Sequence, residues 1–256
     1  MATMRTFSLQ SGSNGNSFYV EVDGVRLLFD AGLTGAAAER RMAVHGRDIR
    51  DVTALFVSHE HPDHIRSAGV YQRKFGLPIY MTRKTQDATR CKLGKPIAIN
   101  YFRSGETVSL NGVRVHTYPT AHDAVDGVCF IVEGGQRRLG IFSDLGHPFQ
   151  ELLPLVESVD AAYIECNYDP DLLASGSYPP HLKARIQGPR GHLSNHDTAE
   201  LLSACGASRP NWVAVAHLSR ENNTPELAIG ALHEAVGHTY PVHLASRYEC
   251  SPVLDV

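Results

Sequence analysis

One short stretch constrains the fold of this chain more than any other, because histidine and aspartate side chains crowd into seven residues. Residues 58–64 read S-H-E-H-P-D-H. They follow residues 54–58, an apolar run whose composition predicts a strand buried on both faces. Alternate side chains of an extended chain point the same way, so His59 and His61 lie on one side. Both side chains can bind a metal ion, and a complete site needs ligands from elsewhere in the chain. The fold must therefore bring those other ligands to the end of this strand.

The ligand types in this stretch favour a divalent cation. Neutral imidazole and carboxylate suit zinc, manganese or iron. A surface turn with chance histidines is the alternative, and both the density of histidines and the buried strand before them argue against it. A thiolate zinc site and a disulfide framework are disfavoured, because the cysteines are odd in number and scattered without a C-x-x-C pair. They are Cys91, Cys129, Cys166, Cys205 and Cys250.

The overall composition predicts a folded cytoplasmic protein with no membrane segment. Its 256 residues are 43% hydrophobic and 20% charged, which is a globular rather than a disordered composition. No run approaches the ~20 apolar residues of a membrane span, and the first residues lack the apolar core of a signal peptide. The net charge of −3 excludes a basic field over the whole surface, although a local basic patch for nucleic acid stays open.

Hydrophobic patterning predicts an α/β or α+β fold in a single domain over residues 1–256. In the first half, residues 17–22 and 25–29 form a hairpin about Asp23-Gly24, a strong turn signal. In the second half, strands alternate with helices, as in a sheet that carries helices on its outer face. We predict a strand pair over 110–118 about Asn111-Gly112, further strands at 78–81, 128–133, 137–142, 161–165, 212–217 and 242–245, and helices at 36–44, 68–75, 152–156, 197–205 and 225–236.

Three more potential ligands follow the motif in order. His122 stands in P-T-A-H-D, Asp144 follows the 137–142 strand, and His217 ends the 212–217 strand. Taken alone, each of these residues is more simply read as an ordinary hydrogen-bonded polar residue than as a metal ligand. The three together, in this order after the motif, favour metal ligands. The H-x-H-x-D-H pattern with these three additions resembles the metallo-β-lactamase superfamily. That resemblance implies two metal sites, one held by His59, His61 and His122, the other by Asp63, His64 and His217, with Asp144 bridging both.

The same resemblance implies an αββα four-layer sandwich of two similar halves, roughly residues 1–145 and 146–256. It also implies two divalent metal ions, for which zinc is favoured and Mn²⁺ or Fe²⁺ is also suited. A metal-bound hydroxide would then act as the nucleophile at neutral pH. Histidine ligands normally give their second nitrogen to an acceptor nearby, and Asp30 is the predicted acceptor; a plain turn residue is the alternative.

Two residues of the second half point to phosphodiester chemistry. Glu165 ends a predicted strand, and His192 follows a glycine downstream. The phosphodiesterase branches of the superfamily, typified by tRNase Z, carry a comparable Glu followed by a His, and the similarity lies in order rather than local sequence. We therefore predict His192, Glu165 and Asp63 as catalytic residues. An ordinary histidine near a helix start is the alternative for His192.

A closer resemblance covers nearly the whole chain. Residues 11–17, 58–64, 165–169, 178–188, 191–195 and 217–226 together look like the YycJ/WalJ subfamily of metal-dependent 5′-to-3′ DNA exonucleases. This implies a phosphodiesterase that acts on single-stranded DNA, DNA ends or a small phosphodiester. The chain has no room for the extra domain of RNase J, and no tRNA-binding arm is visible. A C–N or thioester hydrolase of the β-lactamase or glyoxalase II type, and a metal-binding module without catalysis, are the alternatives.

Substrate contacts are predicted at Lys183, Arg185 and Asn14. The two cations lie within ten residues of His192 and could offset phosphate charge, although a solvated helix face explains them equally well. They are two positions apart and cannot face the same way on a helix. Residues 11–17 are glycine-rich but lack the G-K-[ST] ending of a nucleotide loop, so we predict that they bring Asn14 near the metals instead.

Overall fold

Two mixed β-sheets pack face to face in a computed structural model that describes residues 3–89, 93–94 and 98–256. The first sheet has the strand order β14-β1-β2-β3-β4-β5-β6 and the second β13-β12-β11-β10-β9-β8-β7. The strands are β1 (Arg5–Gln10), β2 (Ser17–Val22), β3 (Val25–Phe29), β4 (Ala54–Phe56), β5 (Ile79–Met81), β6 (Ile99–Tyr101), β7 (Thr107–Leu110), β8 (Val113–Pro119), β9 (Val128–Gly134), β10 (Arg137–Phe142), β11 (Ala161–Glu165), β12 (Trp212–Ala216), β13 (Val242–Leu244) and β14 (Leu254–Asp255).

Helices cover the outer face of each sheet and complete a four-layer sandwich. Side chains of α1 and α3 pack in the apolar cluster outside the first sheet, and those of α5, α8 and α9 in the cluster outside the second. The helices are α1 (Gly35–Val44), α2 (Pro62–Ile65), α3 (Ala68–Phe75), α4 (Arg83–Thr89), α5 (Leu152–Glu157), α6 (Pro170–Ser175), α7 (Pro180–Gln187), α8 (Asn195–Ala204) and α9 (Pro225–Val236). The expected fold class is confirmed.

The core between the sheets follows from alternation along strands that are buried on both faces. In β2, Phe18, Val20 and Val22 point between the sheets, whereas Tyr19 points into the cluster beneath the helices. The facing side chains from the second sheet include Phe130, which lies 5.0 Å from the ring of Phe29. Burial on both faces explains why these strands read as nearly continuous apolar runs.

Both sheets combine an antiparallel part with a parallel part. Strands β3, β4, β5 and β6 run parallel, as do β10, β11, β12 and β13. The carboxyl ends of parallel strands meet at one edge of a sheet, where α/β proteins place their ligands. The predicted boundary between the two halves is residue 145. The chain passes from the first sheet to the second well before it, between Tyr101 and Thr107.

Local sequence signals account for several element ends. The Asp23-Gly24 turn has φ angles of 52° and 77°, the left-handed geometry of a two-residue hairpin. Helix α8 begins with a capping box between Ser194 and Asp197, and α9 matches its predicted bounds with Thr224 as the cap.

Other elements differ from expectation. Strand β4 ends at Phe56 because Ser58 leaves the ladder and bonds to Asp30 instead. The pattern did not predict strands β1, β6 and β14 or helices α2, α4, α6 and α7. Cys91 lies outside the described residues, and the described cysteines are free. Within the described ranges no helix combines the length and apolarity needed to cross a membrane.

Candidate metal centre and active site

The chemistry-bearing side chains meet at the carboxyl ends of the parallel strands of both sheets. In the first sheet, Asp30 follows β3 and residues 58–64 follow β4. In the second sheet, Asp144 follows β10, Glu165 ends β11 and His217 follows β12. Asp144, Glu165 and His217 are each at most 3% exposed. The fold thus assembles one buried polar cluster from two sheets that are otherwise apolar inside.

Three of these residues share an unusual backbone conformation. Asp30, Asp144 and His217 have φ angles of 64°, 54° and 56°, in the left-handed region that residues other than glycine rarely adopt. Each stands directly after a parallel strand or one residue later. Such a conformation costs on the order of 1–3 kcal/mol per residue and persists where the surroundings enforce it. Here it turns each side chain from the strand direction into the shared cluster.

One group of potential ligands consists of His59, His61 and His122, whose ring nitrogens lie within 4.8 Å of one another. Nδ1 of His61 is 3.3 Å from Nε2 of His122. Nε2 of His59 is buried and has no hydrogen-bond partner among the described residues. A buried nitrogen without a partner is costly, and a cation bound between the three rings would satisfy it.

A second group consists of Asp63, His64 and His217. Oδ2 of Asp63 lies 3.3 Å from Nε2 of His217 and 3.6 Å from Nε2 of His64. Together these residues offer two imidazoles and one carboxylate, a donor set that suits zinc and similar divalent ions.

Asp144 lies between the two groups. Its Oδ2 is 3.0 Å from Nε2 of His64, and its Oδ1 is 3.6 Å from Nε2 of His122. Burial alone would raise the pKa of Asp144, but the charges of His217 and His64 outweigh it and hold the pKa well below the usual range. An ionised carboxylate that reaches both groups is what a bridging ligand requires. The residues therefore fit two divalent ions.

Hydrogen bonds behind the ligands orient the imidazole rings. Nδ1–H of His64 donates to Oδ2 of Asp30 at 2.7 Å. Nδ1 of His59 lies 2.9 Å from Oγ of Ser58, which itself donates to Asp30. Nδ1–H of His122 donates to the carbonyl of Gly191 at 2.7 Å. In these three rings Nδ1 is hydrogen-bonded away from the centre, so Nε2 is available to face it. Metal-binding histidines usually have their second nitrogen hydrogen-bonded in this way.

The loop of residues 11–17 does reach the centre, but through Asn16 rather than Asn14. Nδ2 of Asn16 lies 3.3 Å from Oδ2 of Asp63 and 3.0 Å from Nε2 of His64. The amide of Asn14, a predicted substrate contact, instead donates to the carbonyl of Arg247 on the exposed side of the loop. Close packing at Gly32 holds this arrangement, since a Cβ there would lie 1.8 Å from the Asp63 carbonyl oxygen.

The predicted pair of Glu165 and His192 is in direct contact. Nδ1–H of His192 donates to Oε1 of Glu165 at 2.6 Å, and the same nitrogen is 3.6 Å from Oδ1 of Asp144. Burial would raise the pKa of Glu165, but the neighbouring charge and hydrogen bond of His192 lower it to about 2. The backbone amide of Leu145 also donates to this carboxylate. The carboxylate therefore fixes the proton on Nδ1 of His192 and orients the ring.

An open cavity of about 340 Å³ exposes these groups to solvent, and we call it the metal cleft. Its volume is at the lower end of the range for ligand pockets, ~300–1,000 Å³. It is lined by Ser13, His61, Pro62, Asp63, His122, Asp144, Asn167, Tyr178, Leu182, Arg185, Ile186, His192, His217 and Ser219. The lining combines metal-centre residues with side chains of α7, namely Leu182, Arg185 and Ile186.

The two predicted cations of α7 separate in the structure. Arg185 lines the metal cleft, where its Nε and Nη2 both bond to Oδ2 of Asp123 at 2.7 Å. Lys183 points elsewhere, and its Nζ donates to the carbonyl of Ala174 at 2.7 Å. The two cations separate because residues two apart on a helix face different directions.

Sequence reasoning missed Asn16 and Asn167. Nδ2 of Asn167 donates to the carbonyl of His217 at 2.8 Å and lies 3.3 Å from its Nδ1. Asn167 is the second residue after β11, and Asn16 directly precedes β2. These positions next to strand ends were the available signal.

Comparison with known proteins gives one family. The family described as the metallo-beta-lactamase superfamily matches residues 11–217. The chain is 34% identical to a protein of Streptococcus pneumoniae named exodeoxyribonuclease WalJ, over 97% of this chain and 96% of that one. It is 32% identical to exodeoxyribonuclease YycJ of Bacillus anthracis, over 92% of both chains. The solved structure of the metallo-beta-lactamase fold protein YhfI from Bacillus subtilis covers 99% of this chain and all of its own, with a TM-score of 0.77 at 15% identity.

Proposed function

This chain belongs to the metallo-β-lactamase superfamily, and we propose that it is a divalent-metal-dependent exodeoxyribonuclease of the cytoplasm that degrades single-stranded DNA from its 5′ end. The Glu165–His192 pair carries the proposal. It stands beside Asp144 at the metal cleft, where a scissile phosphate and its leaving oxygen would lie. The names of the two bacterial relatives support the same substrate class.

The residues that would hold the cations are the two groups already described. His59, His61 and His122 would bind one ion and Asp63, His64 and His217 the other, with Asp144 shared. Zinc is the ion we propose, because imidazole predominates over carboxylate. When bound, the cations would acidify water and offset the negative charge of a phosphodiester.

The proton transfer falls to His192. Because Glu165 accepts the Nδ1 proton, Nε2 is free to give its own proton to the leaving oxygen as the phosphodiester bond breaks. Glu165 then stabilises the ring by holding it in one orientation, as the buried carboxylate of a catalytic triad does. This assignment makes His192 the general acid and Glu165 a positioning residue.

Arg185 supplies a guanidinium to the lining of the metal cleft. Asp123 bonds to it through two nitrogens, which restricts its orientation and leaves its other N–H groups for a ligand. A guanidinium placed in this way can donate to a phosphate oxygen of the DNA strand. The charge of −3 for the whole chain is consistent with a short strand end, rather than a long duplex, as the bound species.

The test is cleavage of DNA labelled at either end. Zinc-loaded and manganese-loaded protein is incubated with single-stranded DNA carrying a 5′ label, with the 3′-labelled strand, and with the matching duplex. We expect early release of short 5′-labelled products, gradual shortening of the 3′-labelled strand, and slower cleavage of the duplex. If DNA survives while a thioester or a β-lactam is hydrolysed, the proposal is wrong and a different hydrolase of the superfamily is indicated.

A further inference from the structure

A second cavity lies beside the metal cleft, and we call it the side cavity. Its volume is about 170 Å³, half that of the metal cleft. Ser219, two residues after the ligand His217, lines both cavities. The side cavity is lined by Leu218, Ser219, Arg220, Asn223, Thr224, Pro225, Leu244, Ala245, Ser246, Arg247 and Tyr248. A molecule bound at the metals could therefore extend past Ser219 into it.

The chemistry of the side cavity suits one planar ring. Leu218, Pro225, Leu244 and Ala245 give it an apolar floor. A cavity of ~150 Å³ is enough to hold benzene, so this one holds a single ring system but not a whole nucleotide. Its rim is polar, as expected for a group that has an apolar face and hydrogen-bonding edges.

Tyr248 stands at the mouth of the side cavity with its ring 66% exposed, although its backbone is firmly held. Nη2 of Arg41 donates to the Tyr248 carbonyl at 2.5 Å, and the Tyr248 amide donates to Oγ of Ser246 at 3.1 Å. A large aromatic ring that is mostly exposed on a hydrogen-bonded backbone offers a surface for stacking.

Arginines complete the surroundings. Nη1 of Arg247 donates to the Leu218 carbonyl at 2.6 Å and so joins the wall of the side cavity to the segment that carries Tyr248. Arg220 is exposed, with Glu221 3.6 Å away as its ion-pair partner. Such a weakly held exposed cation can exchange its partner for a phosphate of the strand.

We propose that the side cavity binds the base of the nucleotide adjoining the scissile phosphate, with Tyr248 stacked on that base. This inference rests on the proposed function and adds to it a requirement for a base at one defined position. Stacking on an aromatic side chain tolerates every base, so the site would recognise single-stranded DNA without sequence preference.

The first experiment removes the ring. Tyr248→Ala should raise KM for a single-stranded oligonucleotide by about 5- to 150-fold, the range for loss of one stacked base, and leave kcat nearly unchanged. Cleavage of a short strand made only of abasic residues, which offers no planar ring, should stay at the wild-type rate. Tyr248→Phe should keep the wild-type KM, because it retains the ring.

Tyr101→Ala is the matched control, because Tyr101 is also exposed but lies on β6 and does not line the side cavity. It should leave KM unchanged. Thermal unfolding of each variant checks that the fold is kept, as expected for a ring with most of its surface in solvent.

The second experiment removes the base. An oligonucleotide with an abasic residue next to the scissile bond should lose as much affinity for wild-type protein as Tyr248→Ala loses for the normal strand, and combining both changes should add little. The inference is overturned if Tyr248→Ala has the wild-type KM, or if it slows cleavage of the fully abasic strand equally. Failure of the proposed function is recognised separately, because wild-type protein would then leave every DNA strand intact.

Discussion

The two sheets contribute to one site in different ways. The first sheet contributes its potential metal ligands from one segment, residues 58–64 after β4. It also contributes Asp30, a carboxylate that supports the ligand His64. The second sheet supplies one residue per strand end, with Asp144, Glu165 and His217 separated by 20 or more positions along the chain. A contiguous segment orients its ligands locally, whereas separated ligands depend on the register of three parallel strands.

This difference shows where the site depends on the rest of the fold. The ladder sets Ile141 opposite Tyr163 and Ile164 opposite Val215, so β10, β11 and β12 end at nearly the same level. The left-handed turns after β10 and β12 then direct Asp144 and His217 inward. A change in either feature would remove second-sheet residues from the site without touching residues 58–64.

The largest effect is expected at Asp144, the second-sheet carboxylate that reaches both ligand groups. Asp144→Asn keeps a residue that tolerates the left-handed backbone but removes the charge. Activity should fall by roughly 10³-fold or more, since several kcal/mol of charge stabilisation depends on correctly held metals. The count of bound metal per chain should fall further than in Asp63→Asn, which affects one group. Equal metal contents in the two variants would contradict a bridging role.

His192→Gln should give the next largest loss, about 10²- to 10⁴-fold in kcat, because the leaving oxygen would no longer receive its proton. Metal content should stay at the wild-type level, since His192 is assigned to neither ion. His196→Gln is the control, because His196 is exposed on α8 and pairs only with Glu200 among the described residues. Wild-type kcat in His192→Gln would remove His192 from the mechanism.

A smaller effect is expected behind the first-sheet ligands. Asp30→Asn should weaken metal binding by about 10- to 100-fold, the usual cost of losing a carboxylate behind a histidine ligand. Titration with a competing chelator measures it. Asp51→Asn, at an exposed acid that pairs with Arg26, should bind metal as the wild type does. If both variants bind equally well, Asp30 has only a structural role.

The two cations of α7 should differ in their effect on substrate binding. Arg185→Ala should raise KM for single-stranded DNA by about tenfold, a modest change because the side chain is half exposed and its bonds compete with water. Lys183→Ala should leave KM unchanged, because its amine bonds to Ala174 away from the metal cleft. Equal losses in both variants would indicate a diffuse basic surface instead.

The smallest effect concerns the hairpins of the two sheets. Gln136 has a φ angle of 64° in the β9–β10 turn, where glycine is less strained, so Gln136→Gly should stabilise the protein by about 0.5 kcal/mol after the added freedom of the unfolded chain is subtracted. That raises Tm by roughly 1–2 °C.

Gly24→Ala in the β2–β3 turn should act in the opposite direction. A Cβ there would touch nothing within 4 Å, so its cost is purely conformational, about 1 kcal/mol at a φ angle of 77°. Thermal unfolding measures both hairpin variants. A lower Tm in Gln136→Gly would show that the Gln136 side chain stabilises the second sheet in some other way.

The sequence by itself predicted the fold class and the family, and both are confirmed. It could do so because the motif at residues 58–64 is contiguous, and because His122, Asp144 and His217 follow it in the order that the resemblance to the family implies. Hairpins at Asp23-Gly24 and the capped helix α9 were equally readable, since their signals lie within a few residues of each other.

Only the tertiary structure decided which neighbouring polar residues reach the site. It placed Asn16 rather than Asn14 beside Asp63, and Arg185 rather than Lys183 in the metal cleft. The two-residue strand β14 was likewise invisible, because it is stabilised by pairing with β1, which is distant in sequence. The physical reason is common to all of these. The direction of a loop side chain depends on the packing of distant segments, and local residue preferences contain no information about that packing.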